Sequence, residues 1–233
     1  MNKYERAKER ENNYHNKLYV EHKLFRSGTW LARPLSFVTD SFGLMKGREN
    51  AVVLDLGSGI GRHSIPLAEY VGSEGHVICI DRLSSAILGL EENAKRYFVR
   101  DKIIPVISDI DMRPFTPSSF DFVLSISCLE HVPTVRKFAE LIRKLQFGTK
   151  KNGVHCFSIL MDNKWYDDNT LEKLDPLVEL ELDSPETKCL LKKLYKDWKI
   201  KEISTKSWET LETFENKKIC FLSNCIHFLA IKT

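Results

Sequence analysis

Between residues 50 and 160, short continuous apolar runs alternate with longer stretches whose apolar positions recur three and four apart. The runs are Val52–Leu56, His76–Ile80, Ile103–Ile107, Phe120–Ile126 and Val154–Leu160. Their length, β-branched content and bounding turns predict strands. The intervening stretches, 63–71, 84–99 and 135–145, predict helices, the second with Ser84 as its N-cap. Strands alternating with helices mean βαβ units and a parallel sheet, and runs without polar alternation mean strands covered on both faces. Pro105 removes a ladder donor from the third run, which predicts an edge position.

The flanks read differently. Residues 1–26 are dense in both signs of charge, with Tyr4, Tyr14, Tyr19 and Phe25 among them, and predict a helix with polar faces. Residues 30–45 have helical spacing, with Pro34 expected in the first turn, and 47–50 a turn. After the fifth run, 161–183 is acidic and irregular. Ser184-Pro185-Glu186 then predicts a helix start with Ser184 as N-cap, running to about Asp197. Residues 199–204 and 226–232 predict two further strands, with 205–223 a hairpin carrying a wide loop. The expected division is an N-terminal helical segment over 1–45, read either as a solvated helix or as a lid, and one domain over 46–233.

Composition narrows the class. A chain of 233 residues suits one α/β domain, and 42% hydrophobic with 29% charged residues is ordinary for a soluble protein. A net charge of +3 falls short of a dedicated nucleic-acid binder, so no nucleic-acid partner is expected. Lys188, Lys192, Lys193, Lys196, Lys199 and Lys201 read as a solvated face and not as a phosphate-binding surface. No C-x-x-C pair occurs, so no metal site is expected; Cys79 and Cys156 read as small buried hydrophobes of a cytoplasmic protein. The charged start, Met1 to Arg6, does not read as a signal peptide, and no apolar run approaches the roughly 20 residues that span a bilayer.

The chemistry concentrates where the first strand ends, in Asp55-Leu56-Gly57-Ser58-Gly59-Ile60-Gly61. Glycines let the backbone turn tightly and approach a ligand, and the following helix offers free N–H groups. A dinucleotide fingerprint wants G-x-G-x-x-G. Here the third glycine comes one residue early, and Arg62 stands at the position of the fingerprint's last small residue. Asp55 would repel a pyrophosphate and attract an ammonium group. No Gly-Lys-Ser/Thr follows, which excludes a P-loop. Asp81 ends the second strand, where such folds place a carboxylate on ribose hydroxyls, and Asp109 follows the third. Three acids at successive strand ends line the carboxyl edge, where open α/β sheets bind ligands.

This combination, with Ile110 and with Phe120-Asp121-Phe122-Val123 running into Leu129-Glu130-His131-Val132, resembles the class I S-adenosylmethionine-dependent methyltransferases over about residues 50–160. The resemblance implies a Rossmann-like three-layer α/β sandwich, with a seven-stranded, mostly parallel sheet whose last strand is antiparallel. It implies S-adenosylmethionine as cofactor, with Asp55 and Gly57, Ser58, Gly59 and Gly61 facing the methionine part. Asp81, with Arg82 beside it, would take the ribose, Asp109 the adenine amino group and Ile110 the ring; Ser125, at the end of the fourth strand, joins this set. The short chain and Ile226-His227-Phe228-Leu229-Ala230 resemble the small-molecule methyltransferases of the tellurite-resistance type.

Two further groups complete the expected site. Trp30 and Arg33 precede the first strand; an arginine could grip the cofactor's carboxylate and an aromatic could face its sulfonium. His131 follows the fourth strand, on the methyl side of such a site. Either it takes a proton from the acceptor, with Glu130 beside it, or the Glu-His pair fixes the loop. The expected activity is methyl transfer to a small-molecule acceptor. A methyltransferase acting on RNA or protein and a non-catalytic cofactor-binding regulator are the alternatives. The oligomeric state is not legible.

Overall fold

Seven strands form one sheet in the order β3-β2-β1-β4-β5-β7-β6. The computed structural model describes residues 3–45, 47, 49–110, 114–175, 178–214 and 217–233, without the side chains of 3, 212–214 and 217. In chain order the helices and strands are α1 (Lys3–Glu21), α2 (Ser36–Ser41), β1 (Val52–Leu56), α3 (Ser64–Tyr70), β2 (His76–Asp81), α4 (Ser84–Arg96), β3 (Ile103–Ile107), β4 (Phe120–Ile126), α5 (Val135–Gly148), β5 (Thr149–Asp167), α6 (Ser184–Leu194), β6 (Trp198–Phe214) and β7 (Lys217–Lys232). Strands β1 to β5 pair in parallel, and β7 runs antiparallel to both β5 and β6. The sheet is therefore Rossmann-like, and β3 with its Pro105 lies at one edge.

The core has two layers, as strands apolar on both faces require. On one face, Ile65 and Leu67 of α3 and Ile87, Leu90 and Ala94 of α4 pack with the N-terminal segment against Val53, Val77 and Phe122. On the other, Phe138, Leu141, Ile142 and Leu145 of α5 and Leu191 of α6 cover Leu54, Val123, Phe157 and Phe228. Among the described residues no helix is long and apolar enough to cross a membrane.

Several local expectations are corrected. Residues 30–45 do not form one helix: a 3-10 turn at Trp30–Ala32 breaks at extended Arg33, and α2 begins only after Pro34. A residue before proline is disfavoured in the helical region, and Arg33 stands there. Leu83, not Ser84, is the N-cap of α4, without a side-chain bond. Asp183, not Ser184, caps α6, its carboxylate accepting from Glu186 N at 3.0 Å. The largest difference concerns the C-terminal strands. Past the Ile126–Ser158 pair β5 leaves β4 and continues beside β7 to the Asp167–Ile219 pair, while β6 and β7 stay paired to Phe214–Lys217. Residues 161–167 and most of 205–223 are thus strand, forming a three-stranded arm beyond the carboxyl edge of the parallel sheet.

Candidate functional site

The loop leaving β1 turns through three left-handed glycines, Gly57 (φ 76°), Gly59 (φ 52°) and Gly61 (φ 97°). The amides of Gly57 and Ser58 donate to Ile80 O at 2.8 and 3.1 Å, tying the loop to β2. A Cβ at Gly57 would lie 2.5 Å from Cys128 Sγ, so only glycine fits there. Asp81 fixes the same loop. One of its oxygens accepts from Gly59 N and the other from Leu83 N, each at 2.9 Å. Ser58 Oγ is buried beside the loop without a partner among the described residues. An orphaned hydroxyl over a glycine cradle is what a polar ligand at this turn would satisfy, so the residues present fit a nucleoside cofactor.

A cavity of about 410 Å3 opens above this loop. Gly57, Ser58, Gly59, Asp81, Arg82, Asp109, Ile110, Trp30 and His131 all contribute to its wall. Five other expected site residues lie outside it. Asp55 is buried beneath the loop, accepting from Ser64 Oγ of α3, and burial pushes its carboxyl up to about 7. Gly61 faces the helices, where a Cβ would meet Leu90 at 2.7 Å and Ile65 at 3.0 Å. Ser125 is fully buried between strands, its hydroxyl on Leu56 O at 3.4 Å. Glu130 is fully buried under its own loop, accepting from Leu160 N at 3.3 Å. Burial likewise pushes the Glu130 carboxyl up to about 7. Arg33 is exposed, and only its carbonyl takes part, accepting from Arg62 Nε at 2.8 Å. Arg62 stands in the wall instead, with its guanidinium 5.4 Å from the Trp30 ring centre.

Helix α1 lies across the mouth. Its residues at successive turns meet successive strand ends: Lys8 Nζ pairs with Asp109 at 3.1 Å, and Glu11 pairs with Arg82. Tyr19 reaches the glycine loop, its hydroxyl 2.9 Å from where a Gly59 Cβ would lie. The Arg82 guanidinium also holds Asn12 at 3.0 Å and Glu179 at 2.9 Å. His131 completes this network with both ring nitrogens on carboxylates: Nε2 lies 3.1 Å from Glu11, and Nδ1 bonds Glu179. Burial disfavours a charged imidazole, but Glu11 and Glu179 overcome it and hold the ring's pKa up to about 9. Burial likewise works against a charged Glu11, yet His131, His15 and Arg82 bring it down to about 2. Glu11, His131 and Glu179 have the mutual spacing of metal ligands, but Arg82 already occupies both carboxylates. The neutral, free-edged imidazole that a proton acceptor needs is absent from this arrangement.

The far half of the cavity belongs to the arm. Trp165 of β5 stacks on its cross-strand partner Phe221 of β7 with centroids 4.9 Å apart, and Trp208, Ile219 and Val178 add to this wall. Leu160 and Tyr14 connect it to the cofactor half. None of the arm residues, nor Lys8, Glu11, His15 or Tyr19, was marked by a motif, and Arg62 was marked only as a departure from the dinucleotide fingerprint. The aromatic pair at facing strand positions becomes visible only once the register is known.

Comparison with known proteins agrees with this geometry. The methyltransferase domain family matches residues 48–215. A sterol 24-C-methyltransferase of Clavispora lusitaniae is 30% identical over 172 residues, covering 68% of this chain and 40% of that protein, so the match spans less than half of the relative. Among solved structures, TehB from Haemophilus influenzae superimposes with a TM-score of 0.65 at 21% identity, over 96% of this chain and 67% of its own. YcgJ from Bacillus subtilis gives 0.62 at 15% identity, over 84% and 97%. An S-adenosylmethionine-dependent methyltransferase from Methanosarcina mazei gives 0.61 at 20%, over 85% and 98%. At these identities the structural likenesses establish the fold.

Proposed function

The chain belongs to the methyltransferase domain family; from that premise we propose that it is an S-adenosylmethionine-dependent methyltransferase whose methyl acceptor is a small molecule, bound with the cofactor in one covered cavity. The observation that carries this reading is the position of α1, pinned across the mouth through Lys8–Asp109 and Glu11–Arg82. A polymer needs an open groove, whereas here the space beside the cofactor half is walled by α1 and the arm. The sterol methyltransferase relative, whose name states a small-molecule acceptor, accords with this. Free cysteines throughout accord with a cytoplasmic setting.

In this reading residues 1–45 act as a lid on a catalytic domain over 46–233. The Gly57–Gly59 backbone and the Ser58 hydroxyl receive the methionine end, with Trp30 and Arg62 above it. Asp81 accepts ribose hydroxyls on the lone pairs that Gly59 and Leu83 leave free. Asp109 and Ile110 take the adenine. S-adenosylmethionine, when bound, would supply a sulfonium methyl for in-line transfer to the acceptor, with the cofactor's sulfur as leaving group. The chain contributes alignment and exclusion of water, and good alignment alone is worth roughly 7–11 kcal/mol in favourable intramolecular cases. His131 acts here by holding the lid and the 178–182 segment together, not by moving a proton.

The test is to supply cofactor carrying a labelled methyl group together with cell extract split by size. Label entering the low-mass fraction is expected. Label entering only protein or RNA would reverse the assignment to a macromolecular acceptor, and tight cofactor binding without label transfer to any fraction would make the protein a regulator.

A further inference from the structure

We propose that the acceptor is an apolar, flat-bodied small molecule whose nucleophilic atom arrives already unprotonated, a thiolate or carboxylate on a hydrophobic skeleton. This rests on the small-molecule reading above and specifies it.

The body of the acceptor follows from the arm. Trp165 stacked on Phe221, with Trp208, Ile219 and Val178 around them and Tyr14 opposite, makes a chamber of aromatic and aliphatic faces. Flat rings are favoured between such faces, because offset stacking adds to burial of apolar area. These residues line the cavity beside the cofactor half and have no role in holding a nucleoside.

The reacting atom follows from what stands between the two halves. Methylation of an alcohol or ammonium group requires a base that can reach it. His131 has both ring nitrogens turned to carboxylates, so both carry hydrogens and neither offers a lone pair. Glu11 is held by Arg82 and His131, and Asp109 by Lys8. Asp81 takes two amides. His63 accepts from Leu35 N through Nε2. His15 turns Nε2 toward Glu11; its Nδ1 has no partner among the described residues, but that atom is buried, in a ring packed among Tyr14, Tyr19 and Trp30, and is not open to the acceptor. Asp55 and Glu130, the other buried acids near the loop, do not reach the cavity. No described carboxylate or imidazole in the wall is therefore both unengaged and open to the acceptor side.

Charge points the same way. Lys8, Arg62, Arg82 and His131 in the wall face Asp109, Asp81 and Glu11 there, and Glu179, buried behind Arg82 and His131, completes a balanced set. S-adenosylmethionine brings a net positive charge. An anionic acceptor returns the filled, largely apolar cavity to neutrality, whereas a cationic one would bury like charges together. The step then balances without proton transfer. A lone pair of the acceptor's sulfur or oxygen forms the bond to the methyl carbon as the carbon–sulfonium bond breaks. The bonding electrons stay on the cofactor's sulfur, leaving neutral S-adenosylhomocysteine and a neutral thioether or ester.

The experiment uses the full chain with S-adenosylmethionine and four acceptors on one skeleton: 2-naphthalenethiol, 2-naphthoic acid, 2-naphthalenemethanol and 2-naphthalenemethylamine. Methylated product is measured by mass spectrometry. The thiol or the acid should exceed the alcohol and the amine in kcat/KM by at least about 100-fold, the lower end of what a positioned base contributes. The separate rates of thiol and acid identify which anion the site prefers. With ring-substituted thiols of different acidity, the pH midpoint of kcat/KM should move with the acceptor. Phe221→Ala should raise KM for the preferred acceptor several-fold with cofactor affinity unchanged. Equal or better turnover of the alcohol or amine would overturn the proposal, as would a pH midpoint fixed across the thiols and removed by His15→Gln. Both outcomes would leave the small-molecule reading standing. If no naphthalene compound is methylated while labelled methyl enters protein or RNA, both fall.

Discussion

Raising the pH should unlatch α1 through one imidazole. In the folded chain His131 sits between Glu11 and Glu179 with its pKa held up to about 9, against 6.5 for an unperturbed ring. A raised pKa means that the folded state binds this proton more tightly. The stabilisation is complete below about 6.5 and is lost as pH rises through about 9. At about 1.4 kcal/mol per pH unit, that gap is worth roughly 3 kcal/mol. For a chain of this size a change of 1 kcal/mol shifts Tm by about 2–4 °C, so roughly 6–12 °C is at stake. Glu11, held down to about 2, works in the opposite window, its contribution disappearing only as pH falls from 4.5 through about 2. The latch should therefore be strongest between about pH 4.5 and 6.5. The assay is Tm against pH for the wild type and His131→Gln, with hydrogen exchange of the α1 amides at pH 6 and 9.5. The wild-type curve should fall relative to the variant between those values, and α1 should lose protection first, because the network joins it to Arg82 and Glu179. Parallel Tm curves, or α1 protection equal at both pH values, would refute the ion-pair account of His131.

Asp81→Ala should weaken S-adenosylmethionine binding by roughly 1–3 kcal/mol, the cost of leaving polar groups unpaired, and should also lower Tm because Gly59 N and Leu83 N lose their acceptor. Titration calorimetry giving an unchanged Kd in the folded variant would remove Asp81 from the cofactor site. Asp55→Asn should gain stability relative to the wild type as pH rises from 5 through about 7, since burial raises this carboxyl's pKa and its ionisation at higher pH is paid in desolvation. A Tm difference between the two proteins that stays flat across that range would show that the carboxyl is not strained by burial.

The parallel half of the fold was legible because its signals are local. Strands β1 to β4 are largely apolar runs, β1 ends at glycine while β2 and β3 run into aspartate, and Pro105 told of the β3 edge. The arm was not legible, for a physical reason. Residues 205–211 are largely exposed and polar, so they carry neither a buried-strand run nor a clean two-residue alternation. What makes them strand is β7, whose register from Thr205–Ile226 to Thr210–Phe221 supplies the ladder. A partner 11 to 21 residues away in the chain leaves no mark on the local pattern. The helix caps failed by one residue for a smaller reason. Aspartate and serine both cap, and in Asp183-Ser184-Pro185-Glu186 the aspartate's reach to Glu186 N decides between them.

The site divides along the same line. Residues bound to a strand end could be read from the motif, and Gly57, Ser58, Gly59, Asp81, Asp109 and Ile110 do line the cavity. Asp55 and Ser125 share that motif yet point elsewhere, because successive side chains of a strand alternate between faces and a buried polar one must find its partner within the protein. Ser64 and the Leu56 carbonyl are those partners. His131 shows the further limit. Its place after β4 was readable, but its protonation depends on Glu11 and Glu179, which lie 120 and 48 positions away. Position alone made it a candidate base; the two carboxylates facing its two nitrogens make it a cation. The same side chain would have the opposite chemistry if α1 were displaced, so the acid–base character of this site is set by the lid and not by the loop that carries the histidine.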